Sequence, residues 1–243
     1  MLHQFLGRRV LCLFAALLSV FLLIVSTERA SANFNVAEDA FHISNAPGYC
    51  FAMAAFAGWY YCNRPDDLPL RKVLNKKGQT QIARQLQEYY SRNLISLQAE
   101  YCNKNQENRQ ESFNRFTARL ASGEPRVVLL MNREKSRAVL HAVLAYEWIS
   151  ERNLLKVYDP NYNLQERFID LEKGQYTSLD ITYHAICFPE VLQNNVGLVK
   201  KMESLCATYA GNEAPAGVSW RKAAAGPQDQ PSKAERYTRG PTR

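Results

Sequence analysis

The pattern of hydrophobic positions changes character three times along the chain. Behind Arg8 and Arg9, apolar and small residues run unbroken from Val10 to Val25, and Ala30-Ser31-Ala32 follows. A basic start, an apolar run and a small-x-small site make up an export signal, which predicts cleavage after Ala32. Asn33 to Pro47 reads as a short polar lead-in. Gly48 to Tyr61 is apolar nearly all round, the mark of a helix buried on every side. Asn63-Arg64-Pro65-Asp66-Asp67 breaks it. In Thr80 to Cys102, Ile82, Leu86, Tyr89, Tyr90, Leu94, Leu97 and Tyr101 recur at helical spacing. A further helix is predicted from Glu107 to Ser122, with Phe113, Phe116 and Leu120 on one face and Gly123 as its stop.

Beyond Gly123 the segments become short and rich in Val, Ile, Leu and Tyr. Arg126 to Met131, Arg137 to Trp148, Leu154 to Asp159, Gln165 to Ile169 and Ile181 to Phe188 read as strands, with Ser150 to Asn153 as a hairpin turn. Pro189 to Cys206 reads as a closing helix. From Ala207 the chain turns to Ala, Gly, Pro, Gln and scattered charge, too little apolar surface to fold alone. The organisation expected is a signal peptide over 1–32, one domain over 33–206 and a disordered polar tail over 207–243. Helices followed by an antiparallel sheet make an α+β domain.

Composition narrows the function. Hydrophobic residues are 47% of the chain, enough for one ordinary core. The net charge of +7 is spread out, and no Lys/Arg stripe interleaves with aromatics, which argues against nucleic acid as a partner. Membrane contact is expected only through an uncleaved signal segment. His42 and His184 stand apart without a second ligand pair, so no metal site is expected.

Of the six cysteines, Cys12 lies in the apolar run. The other five are Cys50, Cys62, Cys102, Cys187 and Cys206. One thiol plus two disulfides accounts for an odd set, and disulfides persist in oxidising compartments, so a periplasmic or secreted location is expected. With Cys50 as the thiol, three pairings of the rest are possible. Cys62 with Cys102 and Cys187 with Cys206 is the expected one, because each pair joins neighbouring elements. The alternative is that some of the four are buried reduced thiols.

Cys50 carries the candidate chemistry. It opens the apolar helix in Gly48-Tyr49-Cys50-Phe51-Ala52. A helix N-terminus supplies the positive field that activates a thiol, an imidazole supplies a base, and a third polar group fixes the imidazole tautomer. His141, in Leu140-His141-Ala142-Val143, and Asp159, in Val157-Tyr158-Asp159-Pro160-Asn161, lie downstream on strands in the required order.

This ordered set resembles the papain-like cysteine peptidases, and the compact bacterial type similar to bacteriocin-leader peptidases in particular. The resemblance covers roughly Phe41 to Phe188. His141 follows Cys50 by 91 positions, which suits the compact type. Transglutaminase-like and NlpC-type enzymes share the order, but their histidine follows the cysteine much more closely. The resemblance implies a papain-like fold with the Cys50 helix packed against the sheet. It implies Cys50 as nucleophile, His141 as base and Asp159 as its orienter, with Asn161 as a fallback. Where the family has a glutamine before the nucleophile, this chain has Asn45, which becomes the oxyanion donor beside the Cys50 N–H. The implied activity is cleavage of peptide bonds in a peptide or protein substrate, with no cofactor. Two alternatives stay open: a non-catalytic module of the same fold that binds a peptide or envelope partner, and a thiol acyltransferase.

Overall fold

The structure, a computed structural model, describes residues 34–46, 48–63, 68–104, 109–132, 139–162, 164–189 and 195–210. The expected signal peptide and all of the expected tail beyond Ala210 lie outside them. No helix among the described residues is long and apolar enough to cross a membrane.

The chain is α+β. Helices come first: α1 (Val36–Asp39), α2 (Cys50–Asn63), α3 (Leu70–Val73), α4 (Lys76–Asn93), α5 (Ile95–Lys104) and α6 (Arg109–Ala121). Strands follow: β1 (Arg126–Asn132), β2 (Val139–Ile149), β3 (Leu154–Tyr158), β4 (Glu166–Asp170), β5 (Tyr176–Ser178), β6 (Ile181–Tyr183) and β7 (Ala185–Cys187). Helix α7 (Val196–Ala210) closes the described chain. Five strands form an antiparallel sheet in the order β4-β3-β2-β1-β7, and β5 and β6 form a separate hairpin.

The sheet is buried on both faces, which is why its central strands are apolar without alternation. Val127, Leu129, Ala142, Leu144, Tyr146 and Tyr158 face the core built around α2 and α4. Val128, Leu130, Val143, Ala145, Leu155 and Val157 face α6 and the hairpin, through Phe116, Leu120, Tyr176 and Tyr183. Helix α2 lies close on β2. A Cβ added at Gly58 would stand 2.8 Å from Leu144 Cδ1, so any larger residue there would force that side chain to shift.

Several boundaries differ from the sequence expectation. The lead-in is not merely polar: Phe34, Val36, Ala40 and Phe41 are buried, and α1 is capped by Asn35. The predicted helix 80–102 is two helices that break at Leu94, whose backbone leaves the helical region at φ −121°. The predicted strand 181–188 is also two. Before His184 it pairs with β5, and after it with β1, while the His184 N–H donates to Met131 O. The last helix starts later and runs four residues past Cys206, burying Ala210, so the polar tail cannot begin at Ala207.

The expected disulfides are corrected. The bond is Cys102–Cys187, with Cα atoms 5.8 Å apart, and it ties α5 to the edge strand β7. Cys62 is an exposed thiol at the end of α2 and Cys206 a buried one on α7. Pairing by neighbourhood in sequence failed because α7 packs on α4 and α2, which carries Cys206 away from β7. Burial pushes the Cys206 thiol up to about 12, as expected of an inert packed cysteine.

Candidate active site

A turn places Cys50 at the head of α2. The Gly48 N–H donates to Asn45 O at 2.7 Å, and Gly48 adopts φ +80°, a backbone region in which glycine is unstrained. The Met53 N–H then bonds Tyr49 O, so the helix begins at the nucleophile candidate. Cys50 is half-buried, while the rest of the helix's first two turns is buried.

His141 and Asp159 meet because of strand register. Leu144 pairs with Tyr158 across β2 and β3. One step further, Asp159 lies opposite Val143, on the sheet face that also carries His141. Residues two apart on one face and their cross-strand neighbours are within side-chain reach. His141 Nε2 and Asp159 Oδ1 are 2.7 Å apart, with the two side chains 4% and 0% exposed.

The Asp159 carboxylate accepts four hydrogen bonds. His141 and the Asn161 N–H (2.9 Å) take Oδ1. The Tyr176 hydroxyl (2.8 Å) and the Ser178 hydroxyl (2.7 Å) take Oδ2. Burial opposes the charge. The His141 ring, the Asn161 N–H and the Ser178 hydroxyl outweigh it and hold the carboxyl below its usual range. With Nε2 bound to Asp159, Nδ1 is the ring nitrogen left uncommitted. Burial works against a charged His141, but the bond to Asp159, then the neighbouring Cys50, lift its pKa to about 9.

No family model, curated protein or solved structure matches the chain. The site therefore stands on its own geometry.

That geometry extends past the three residues the spacing pointed to. Asn161 Nδ2 donates to Ser178 Oγ at 2.9 Å, and Asn161 Oδ1 accepts from Asn45 Nδ2 at 2.7 Å. Asn45 thus ties the turn before Cys50 to the loop after Asp159, across 116 positions of sequence. Its own Oδ1 is buried without a partner. Asn161 Nδ2 also lies 3.4 Å from His141 Nε2, a contact rather than a bond, since the Nε2 proton belongs to Asp159.

Two buried tyrosines border Cys50. Tyr183, on β6, stacks on His141 with ring centroids 5.7 Å apart. Burial, then the Cys50 and Asp159 charges, push its phenol up to about 12. Tyr90, on α4, stacks at 3.7 Å on Phe51, the residue after Cys50, and burial and Cys50 raise it too. Tyr176 and Ser178 escaped the sequence reading because β5 is only three residues long and shows no periodicity. The one signal available was the register of a Tyr176–Tyr183 hairpin, which needs the turn at Leu179 to be recognised. His42 does not join the site: its N–H donates to Gln79 Oε1 and its ring bonds Ala37 O. Among the described residues no cluster of His, Cys, Asp and Glu could hold a metal ion.

Proposed function

We propose that the protein is an exported thiol hydrolase of papain-like type that cleaves peptide bonds through Cys50, His141 and Asp159. The observation that carries this reading is the buried, fourfold hydrogen-bonded Asp159 behind His141, with Cys50 near enough to help raise the His141 pKa. A structural histidine needs no such carboxylate, and a buried ion pair is weak support for stability alone. The Cys102–Cys187 bond favours an oxidising compartment, consistent with export.

In this mechanism the Cys50 sulfur adds to the carbonyl carbon of the scissile bond, and the carbonyl π pair moves to oxygen. The oxyanion collapses, the C–N bond breaks, and His141 Nδ1 gives its proton to the departing amine. Water then enters. His141 takes its proton, the hydroxyl adds to the thioester, and the C–S bond breaks to release the acid and restore the Cys50 thiolate beside the protonated ring. Asp159 holds the ring in the tautomer that presents Nδ1 to sulfur and stabilises its charged form.

The decisive experiment is the rate of Cys50 carboxamidomethylation by iodoacetamide, followed on the Cys50 peptide by mass spectrometry. At pH 6 the wild type should react at least tenfold faster than His141→Ala. Equal rates in both proteins would falsify the thiol–imidazole pairing and leave a non-catalytic peptide-binding module.

A further inference from the structure

We propose that Gln87, on α4, is the side-chain donor that binds the oxyanion formed during attack by Cys50. This rests on the hydrolase reading above.

The Gln87 side chain reaches the first turn of α2, where its Oε1 accepts from the Ala52 N–H at 3.2 Å. Position 87 is half-buried. Its Nε2, on the same planar amide, has no partner among the described residues and is not sealed in the core. One end of the amide is therefore anchored two residues after the nucleophile, and the donor end is open. Tyr90, one turn further along α4, stacks on Phe51 and fixes α4 over the head of α2.

The N–H groups of a helix's first turn lack intrahelical acceptors and attract negative charge. Of these, the Ala52 N–H goes to Gln87 and the Met53 N–H goes to Tyr49 O. The Cys50 and Phe51 N–H groups remain at the tip. Charge that develops on a carbonyl oxygen under attack by Cys50 falls at this tip, where Gln87 is anchored through the Ala52 N–H. Asn45, the donor the sequence offers, is committed elsewhere: its Nδ2 bonds Asn161 on the Asp159 loop. Asn45 is a positioning residue, and Gln87 both caps the nucleophile helix and presents the donor. An α4 residue 37 positions after the cysteine would supply what a residue before it was expected to supply.

Two reactions of the same thiol separate the roles. Alkylation by iodoacetamide forms the S–CH2 bond and expels iodide, with no oxyanion. Acylation by p-nitrophenyl acetate forms the S–C bond, passes through an oxyanion and expels p-nitrophenolate. In Gln87→Met, alkylation of Cys50 should stay within about threefold of wild type while acylation falls on the order of 100-fold, the typical cost of a lost oxyanion donor. Gln87→Glu keeps an acceptor for the Ala52 N–H but has no donor when ionised. It should fold with the wild-type midpoint and lose acylation more than alkylation. If acylation stays within about threefold in both variants, or both rates fall by one common factor, Gln87 is only a cap and the proposal is overturned. A wild type that alkylates fast but never acylates overturns the hydrolase reading itself, and the oxyanion role with it.

Discussion

Ser178 donates to Asp159 Oδ2 and accepts from Asn161 Nδ2, so one small hydroxyl joins the carboxylate to the loop behind it. Ser178→Ala leaves a half-buried amide without this acceptor and a carboxylate with one donor fewer. Urea unfolding at pH 7 should show a loss of about 1–3 kcal/mol. The gap has a pH signature. Asp159 sits below its usual range when folded, so its contribution is present above the unfolded value of about 3.9 and fades as pH falls through the depressed one. The difference between wild type and Ser178→Ala should therefore be largest at pH 7 and narrow below about pH 4 to the share of the neutral Asn161 bond. His141 runs the other way. Its folded pKa of about 9 lies above the unfolded value of about 6.5. Its stabilisation is complete below about pH 6.5 and is lost as pH rises toward 9. Unfolding midpoints measured from pH 6 to 9.5 should fall in wild type and stay flatter in His141→Ala. Residue identities around Cys50, His141 and Asp159 could be read in the sequence because each sits in a short motif with a chemical reason. Ser178, Tyr176 and Gln87 could not, since a serine in a three-residue strand and a glutamine on an amphipathic helix look like solvent-facing polar positions.

Helix α2 is the element that every part of the site leans on, and its fit depends on Gly58. Ordinarily glycine weakens a helix by about 1 kcal/mol relative to alanine. Here it lets β2 approach, with Leu144 Cδ1 only 2.8 Å from where a Cβ would stand. Gly58→Leu should cost about 1–3 kcal/mol through overpacking, read as a lower urea midpoint, because the fully buried Leu144 would have to repack around it. The all-apolar face of this helix and the helical period of α4 and α6 were plain in the sequence. The breaks were not. Leu94 ends α4 without glycine or proline, and the run from Ile181 to Phe188 changes sheets at His184 with no punctuation residue. Both are decided by what the chain packs against, which one-dimensional pattern does not carry.

At the scale of the molecule, the Cys102–Cys187 bond closes a loop of 85 positions between the helical half and the sheet edge. Cutting such a loop costs on the order of 4 kcal/mol in the chain-entropy account. Non-reducing peptide mapping should find this one bridge, with Cys50, Cys62 and Cys206 alkylatable after unfolding. Reduction, or Cys102→Ser with Cys187→Ser, should lower the unfolding midpoint and leave the Cys50–His141 pairing in place below it. The α+β order was legible because helical and extended periods occupy separate stretches of chain; the bridge was not, because α7 folds back onto α4. The hydrogen bond from Asn45 to Asn161 has a consequence in time as well as in space. Its two ends, with Cys50 beside one and Asp159 and Ser178 near the other, leave the ribosome far apart. On the proposed function, a chain that has not yet released Asp159 and Ser178 would hold Cys50 without the carboxylate that positions His141. Reactivity would then wait until the last of these segments has docked.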